Sequence, residues 1–105
     1  MRWAAIALAV AAVVAAPGGG AALAEALRAR IEPLLGVDLG HVRIRRGPDA
    51  AAAARDLRAR AFASGSTIYL AAESSPSDVG LMAHEATHVA QQQAVPAARE
   101  LLLRD

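Results

Sequence analysis

The stretch Ser75-Pro76-Ser77-Asp78-Val79-Gly80-Leu81-Met82-Ala83-His84-Glu85-Ala86-Thr87-His88-Val89-Ala90-Gln91-Gln92 decides the reading of this chain. It opens with helix-start chemistry. Ser75 can cap, Pro76 suits the first helical position, and Asp78 falls third, as in a capping box. A helix is therefore predicted from Pro76 to about Ala94, with Pro96 stopping or kinking it. His84 and His88 are four residues apart, so they share one face of that helix. Both imidazoles can reach one ion, as neutral zinc ligands at about 2.0–2.1 Å. Glu85 lies about 100° further round. From there it can reach a water on the metal and act as general base, zinc having lowered the water's pKa toward ~7. With only 3 histidines in 105 residues, an HExxH arises by chance in roughly 0.4% of such chains, so the motif is treated as a signal that its context must support.

The context lies upstream. Ala61-Phe62-Ala63 and Thr67-Ile68-Tyr69-Leu70 flank Gly65 and predict a hairpin that leads into the motif helix. Asp49 to Arg60 predicts a helix with Pro48 near its first turn and a long alanine face. His41-Val42-Arg43-Ile44-Arg45 alternates, which predicts a strand with Val42 and Ile44 inward. Ala22 to Leu35 has helical spacing, with Leu23, Leu27, Ile31 and Leu34 or Leu35 on one stripe. Pro33 and Gly36 mark its kink or end. The fold class expected is α+β, with a short sheet or hairpin packed on the motif helix.

Composition narrows the function. The charge is +1 with no cysteine, so no thiolate metal site and no disulfide can form, and any metal must rest on His, Asp or Glu. All 11 basic residues are arginine. There is no basic field for nucleic acid, and too few aromatics for base stacking. Arg2 precedes an uncharged run whose apolar heart is Trp3 to Ala16, broken at Pro17-Gly18-Gly19-Gly20. Residues 1–24 are expected to be a secretory signal peptide ending near Ala22-Leu23-Ala24, giving an exported protein. The alternative is a membrane anchor over residues 3–16. The domain proper is expected at 25–94, and a helical tail at 95–105.

Leu27-Arg28-Ala29-Arg30, Glu32 to Leu39, His41 to Ile44, Gly47-Pro48, Ala59 to Phe62, Ile68-Tyr69, and Ala83-His84-Glu85 through His88-Val89 with Gln91-Gln92 occur in the order of a known bacterial family. The chain resembles the extracellular contractile injection system (eCIS) core domain over about residues 25–93. That resemblance implies a small zincin-like half-domain and a zincin-type metallopeptidase associated with phage-tail-like injection systems and their effectors. It implies His84 and His88 as the metal pair and Glu85 as the general base. Gln91 and Gln92 match the tail of the motif without a physical role. The sequence departs from the family at Arg45, where a histidine is usual, and at Ala86 and Ala90, where bulkier residues are usual.

A catalytic zinc has three protein ligands and a water. Glu100 is the first candidate for the third, if a turn near Pro96 folds the tail back. His41 is the second, and Glu73 and Asp78 are weaker. Each also has an ordinary reading as a solvated or capping residue. Arg43, Arg45 and Arg46 could meet an acidic partner, or simply face water. Two function classes follow. One is a zinc peptidase acting on a peptide or protein. The other is a non-catalytic interaction or packaging module of an injection-system effector that keeps the helix.

Overall fold

The structure, a computed structural model, describes residues 20–103, with side chains as far as Gln92. The leader expected at 1–24 lies outside the described residues up to position 19. Among the described residues no helix is long and apolar enough to cross a membrane.

The elements in chain order are β1 (Ala21–Ala22), α1 (Glu25–Leu35), β2 (Arg43–Arg45), α2 (Pro48–Asp56), β3 (Ala61–Ser64), β4 (Thr67–Leu70) and α3 (Val79–Leu103). This is an α+β architecture, as the spacing predicts. The four strands form one mixed sheet in the order β1-β2-β4-β3. β3 and β4 are the predicted hairpin, pairing Phe62 with Tyr69 and Ala63 with Ile68. β2 runs parallel to β4, with Ile44 opposite Ile68. A parallel pair needs a long crossover, and α2 with β3 supplies it.

Alternation along the strands sorts the two faces. Ile44, Ile68, Leu70 and Ala61 turn to the main core, where α1 contributes Leu27 and Ile31, and α3 contributes Leu81, Met82, Ala86 and Val89. Tyr69 and Phe62 turn to the other face and stack on each other at 4.7 Å. There they meet the small residues Ala50 and Ala53 of α2. The alanine face of α2 lets backbone and aromatic rings approach closely, so the sheet is covered on both sides. Ala86 is fully buried between bulkier neighbours, so its small volume is part of the packing at that point.

β2 begins at Arg43 rather than His41, and four helix boundaries differ from the spacing-based expectation, each for a local reason. Ala21 and Ala22 are strand residues paired with Ile44 and Arg43, and Leu23 is 2% exposed in the main core. α1 therefore starts at Glu25 rather than Ala22, with Ala24 O receiving the amides of Leu27 and Arg28. Pro33 is accommodated inside α1, which ends at Gly36 in the left-handed region (φ 68°).

The second difference is at α2, which closes at Asp56 instead of Arg60. The Ala59 amide bonds Ala54 O and the Arg58 amide bonds Arg55 O. These are the two bonds of a Schellman cap, and Arg58 takes the left-handed position with φ 55°.

The third difference is the start of α3. Ser75 does not cap it; Ser75 Oγ instead receives the amide of Ser77 in a tight local turn. Asp78 is the cap, its Oδ1 receiving the Leu81 amide at 3.1 Å. The proline-containing turn thus precedes the helix rather than beginning it. The fourth is the far end of α3, which continues through Pro96 to Leu103 instead of stopping near Ala94.

Candidate metal centre

α3 carries the motif at the middle of its described part. Its buried side is Met82, Ala86 and Val89, and its open side bears His84 and His88. Four-residue spacing stacks the two imidazoles. Their Nε2 atoms are 3.1 Å apart, and the rings meet edge to face with centroids 4.7 Å apart. Two nitrogen ligands at the usual zinc distance around a tetrahedral ion stand about 3.3 Å apart. The separation of the two nitrogens is close to that value. The same spacing lets one ring donate to the other when their tautomers are opposite.

Glu85 occupies the boundary between the two sides. It is 4% exposed, yet no hydrogen bond among the described residues reaches its carboxylate. No side-chain oxygen or nitrogen that is fully shut away lacks a partner, so its oxygens open on the cleft rather than into the core. That cleft, about 360 Å³, is lined by Arg60, Ala61, Gly80, Leu81, His84 and Glu85. Burial pushes the Glu85 carboxyl above its ordinary value, while His88 and His84 pull it back down.

The rim of the cleft is fixed by charge. Arg60 Nη2 donates to Asp78 Oδ2 at 2.9 Å. The Leu81 amide, and after it Arg60, holds the Asp78 carboxyl below the usual aspartate range. Arg60 is a residue that no spacing rule marks; only its position just ahead of β3 brings it to the cleft.

The histidine stripe continues to Gln92, and here the double glutamine acquires a role. Gln92 Nε2 donates to Ala63 O at 3.0 Å, and Gln92 Oε1 receives the Gly65 amide at 2.8 Å. The side-chain amide imitates a peptide unit and fastens α3 to the hairpin turn. This fixes how far along β3 the histidines stand.

The candidates for a third ligand are dispersed. His41 lies in the loop ahead of β2, beside Asp38. Asp78 is committed to the helix cap and to Arg60. Glu73 lines a separate recess with Arg55 and Arg58. The side chain of Glu100 lies outside the described residues. Twelve residues of continuous helix span about 18 Å, so Glu100 could join the pair only if the chain left the helix between them. Among the described residues no group of three His, Asp or Glu comes together to hold a metal.

Fold and site together define a small α+β domain that displays a His-Glu-His helix beside the edge of a mixed sheet. The sequence profile of the eCIS core domain matches residues 22–96, and the chain belongs to that family. The matched span includes all of the main-core residues, beginning just ahead of Leu23. Neither the curated proteins nor the solved structures contain a match to this chain.

Proposed function

We propose that this domain is a zinc-dependent peptidase-like module of an extracellular contractile injection system, with His84 and His88 as metal ligands and Glu85 as general base. The observation that supports it most is Glu85. The body of Glu85 is buried, its carboxylate opens on the cleft without a protein donor, and this partial desolvation raises its pKa. A carboxylate raised by burial beside two histidines in a cleft is an arrangement that proton-transfer chemistry uses. A zinc ion held by the two Nε2 atoms would supply Lewis acidity and bring a water's pKa toward ~7.

The chain's own residues would then act in order. Burial keeps Glu85 a better base than an exposed glutamate, since proton transfer is most efficient when its pKa approaches the working pH. Glu85 takes the proton of the attacking water and later delivers it to the leaving amine. Ala61 at the start of β3 and Gly80 at the start of α3 are small, so an extended peptide could lie along the cleft. A leader that ends ahead of Ala21, since β1 and Leu23 belong to the fold, would carry the protein out of the cell to meet that substrate, with injection-system components as the neighbouring proteins.

A second reading is favoured by one observation. No third ligand joins the pair among the described residues, as expected of a non-catalytic docking module that retains the helix. Hydrolysis of a random peptide library by the zinc-loaded full chain, compared with its Glu85→Gln variant, separates the two. The peptidase reading expects cleavage by the parent and none by the variant. Equal cleavage by both, or none by a fully zinc-loaded parent, rejects it.

A further inference from the structure

A second recess lies next to the cleft, about 350 Å³ in volume, with Arg55, Arg58, Arg60 and Glu73 in its wall. Its three arginines come from three different backbone settings. Arg55 is in the last turn of α2, Arg58 is the left-handed residue of the Schellman cap, and Arg60 immediately precedes β3. The guanidinium groups of Arg55 and Arg58 make no hydrogen bond or ion pair with any described residue. Glu73 is the one acidic residue in the wall, so cationic charge dominates the recess.

Arg58 adds a second, independent observation. A non-glycine residue in the left-handed region is strained, and glycine is the usual occupant of that cap position. Here the chain places a guanidinium there instead, and so turns the side chain of a strained residue toward the recess wall. Outliers of this kind cluster where a side chain is needed for binding. Arg60 lines both the recess and the Glu85 cleft, so the two lie side by side with that side chain between them.

We infer that the Arg55–Arg58–Arg60 recess is a carboxylate-binding subsite that receives an acidic side chain of a peptide lying across the His84–Glu85–His88 cleft. Planar guanidinium groups match a carboxylate through paired, charge-assisted hydrogen bonds. The site therefore selects peptides with Asp or Glu a few residues from the segment facing Glu85. The inference rests on the proposed peptide cleft for the direction of the bound chain, but the recess itself requires no hydrolysis.

The test is a titration of the full chain, followed through the arginine Nε–Hε NMR signals and repeated on Glu85→Gln so that activity plays no part. One probe is an Ala-Gly peptide with a single central Glu. The second is the same peptide with Gln, and the third is inorganic phosphate. The Glu peptide should shift the Arg55 and Arg58 signals saturably and leave Arg30, on the exposed side of α1, in place. The Gln peptide should not.

Arg58→Gly should weaken Glu-peptide binding about tenfold, the effect of one charge-assisted hydrogen bond, while raising the melting midpoint. A rise in midpoint shows that lost binding is not lost folding. Equal shifts at Arg30 and Arg58, equal binding of both peptides, or unchanged affinity in Arg58→Gly would each overturn the subsite. Phosphate binding as tight as that of the Glu peptide would overturn its assignment to a peptide carboxylate.

Discussion

Replacing Gln92 tests how α3 is held against the hairpin. Its amide donates to Ala63 O at 3.0 Å and accepts from Gly65 N at 2.8 Å. A net protein hydrogen bond contributes about 0.5–1.5 kcal/mol. Gln92 is exposed, so each bond competes with water and belongs at the low end. Gln92→Ala should therefore cost about 1 kcal/mol, a drop of roughly 4–8 °C in melting midpoint for a domain of this size. The replacement Gln92→Glu separates the two bonds. A carboxylate can still accept from Gly65, but its other oxygen then faces the Ala63 carbonyl without a proton. Gln92→Glu should be less stable than Gln92→Ala at neutral pH. On acidification the protonated carboxyl can donate to Ala63 O. Its folded-state pKa is thus raised, and the lost stability returns as pH falls through that value. Chemical denaturation of the three proteins at pH 7 and pH 4 reads this directly. If Gln92→Ala melts with the parent, or Gln92→Glu shows no recovery in acid, the latch does not hold the helix.

Three further outcomes follow from the same geometry. Met82 is fully buried, so Met82→Ala should cost about 2–5 kcal/mol, which denaturant titration would register as loss of much of the domain's stability. Glu85 carries a carboxyl raised by burial, so the charged form destabilises the fold above the folded-state pKa and the penalty disappears below the unfolded value. Glu85→Gln should therefore melt higher than the parent near pH 7 without added metal, with the difference fading near pH 4; a lower midpoint at pH 7 would contradict the burial argument. Asp78 titrates in the opposite sense, since its carboxyl is held low by the Leu81 amide and Arg60. Its contribution is present above the unfolded aspartate value and lost as pH falls through the lowered one, so Asp78→Asn should flatten the acid limb of the stability profile.

The elements that carry a local signal were legible in the sequence. The β3–β4 hairpin follows from the two strand-like runs flanking Gly65, and the motif helix from the start signal in Ser75-Pro76-Ser77-Asp78. What escaped was set by partners distant in the chain. β1 exists because Ala21 and Ala22 pair with β2, which no local pattern in an alanine-rich run reveals. The cap moved from Ser75 to Asp78 because Arg60 and the Leu81 amide converge there, and both residues look capable of capping on paper. Gln92 gave no hint because its partners, Ala63 and Gly65, contribute only backbone groups. The left-handed Arg58 is invisible for a related reason, since a glycine is what a reader looks for at such a position. Four-residue spacing predicts that His84 and His88 share one helix face, and α3 carries them side by side. The burial of Glu85, on which the chemical argument depends, came only with the packing of α3 on the sheet.

The central claim is that His84 and His88 bind a metal ion beside a poised Glu85, and metal content tests it most directly. The purified full chain, its His84→Ala/His88→Ala double variant and its Glu85→Gln variant would be equilibrated with zinc, desalted and assayed for bound metal. One zinc per chain is expected in the parent and in Glu85→Gln, with none in the double variant. Binding should also raise the parent's melting midpoint, because the ion stabilises only the folded site. A parent without zinc, or a double variant that still retains it, would contradict the account.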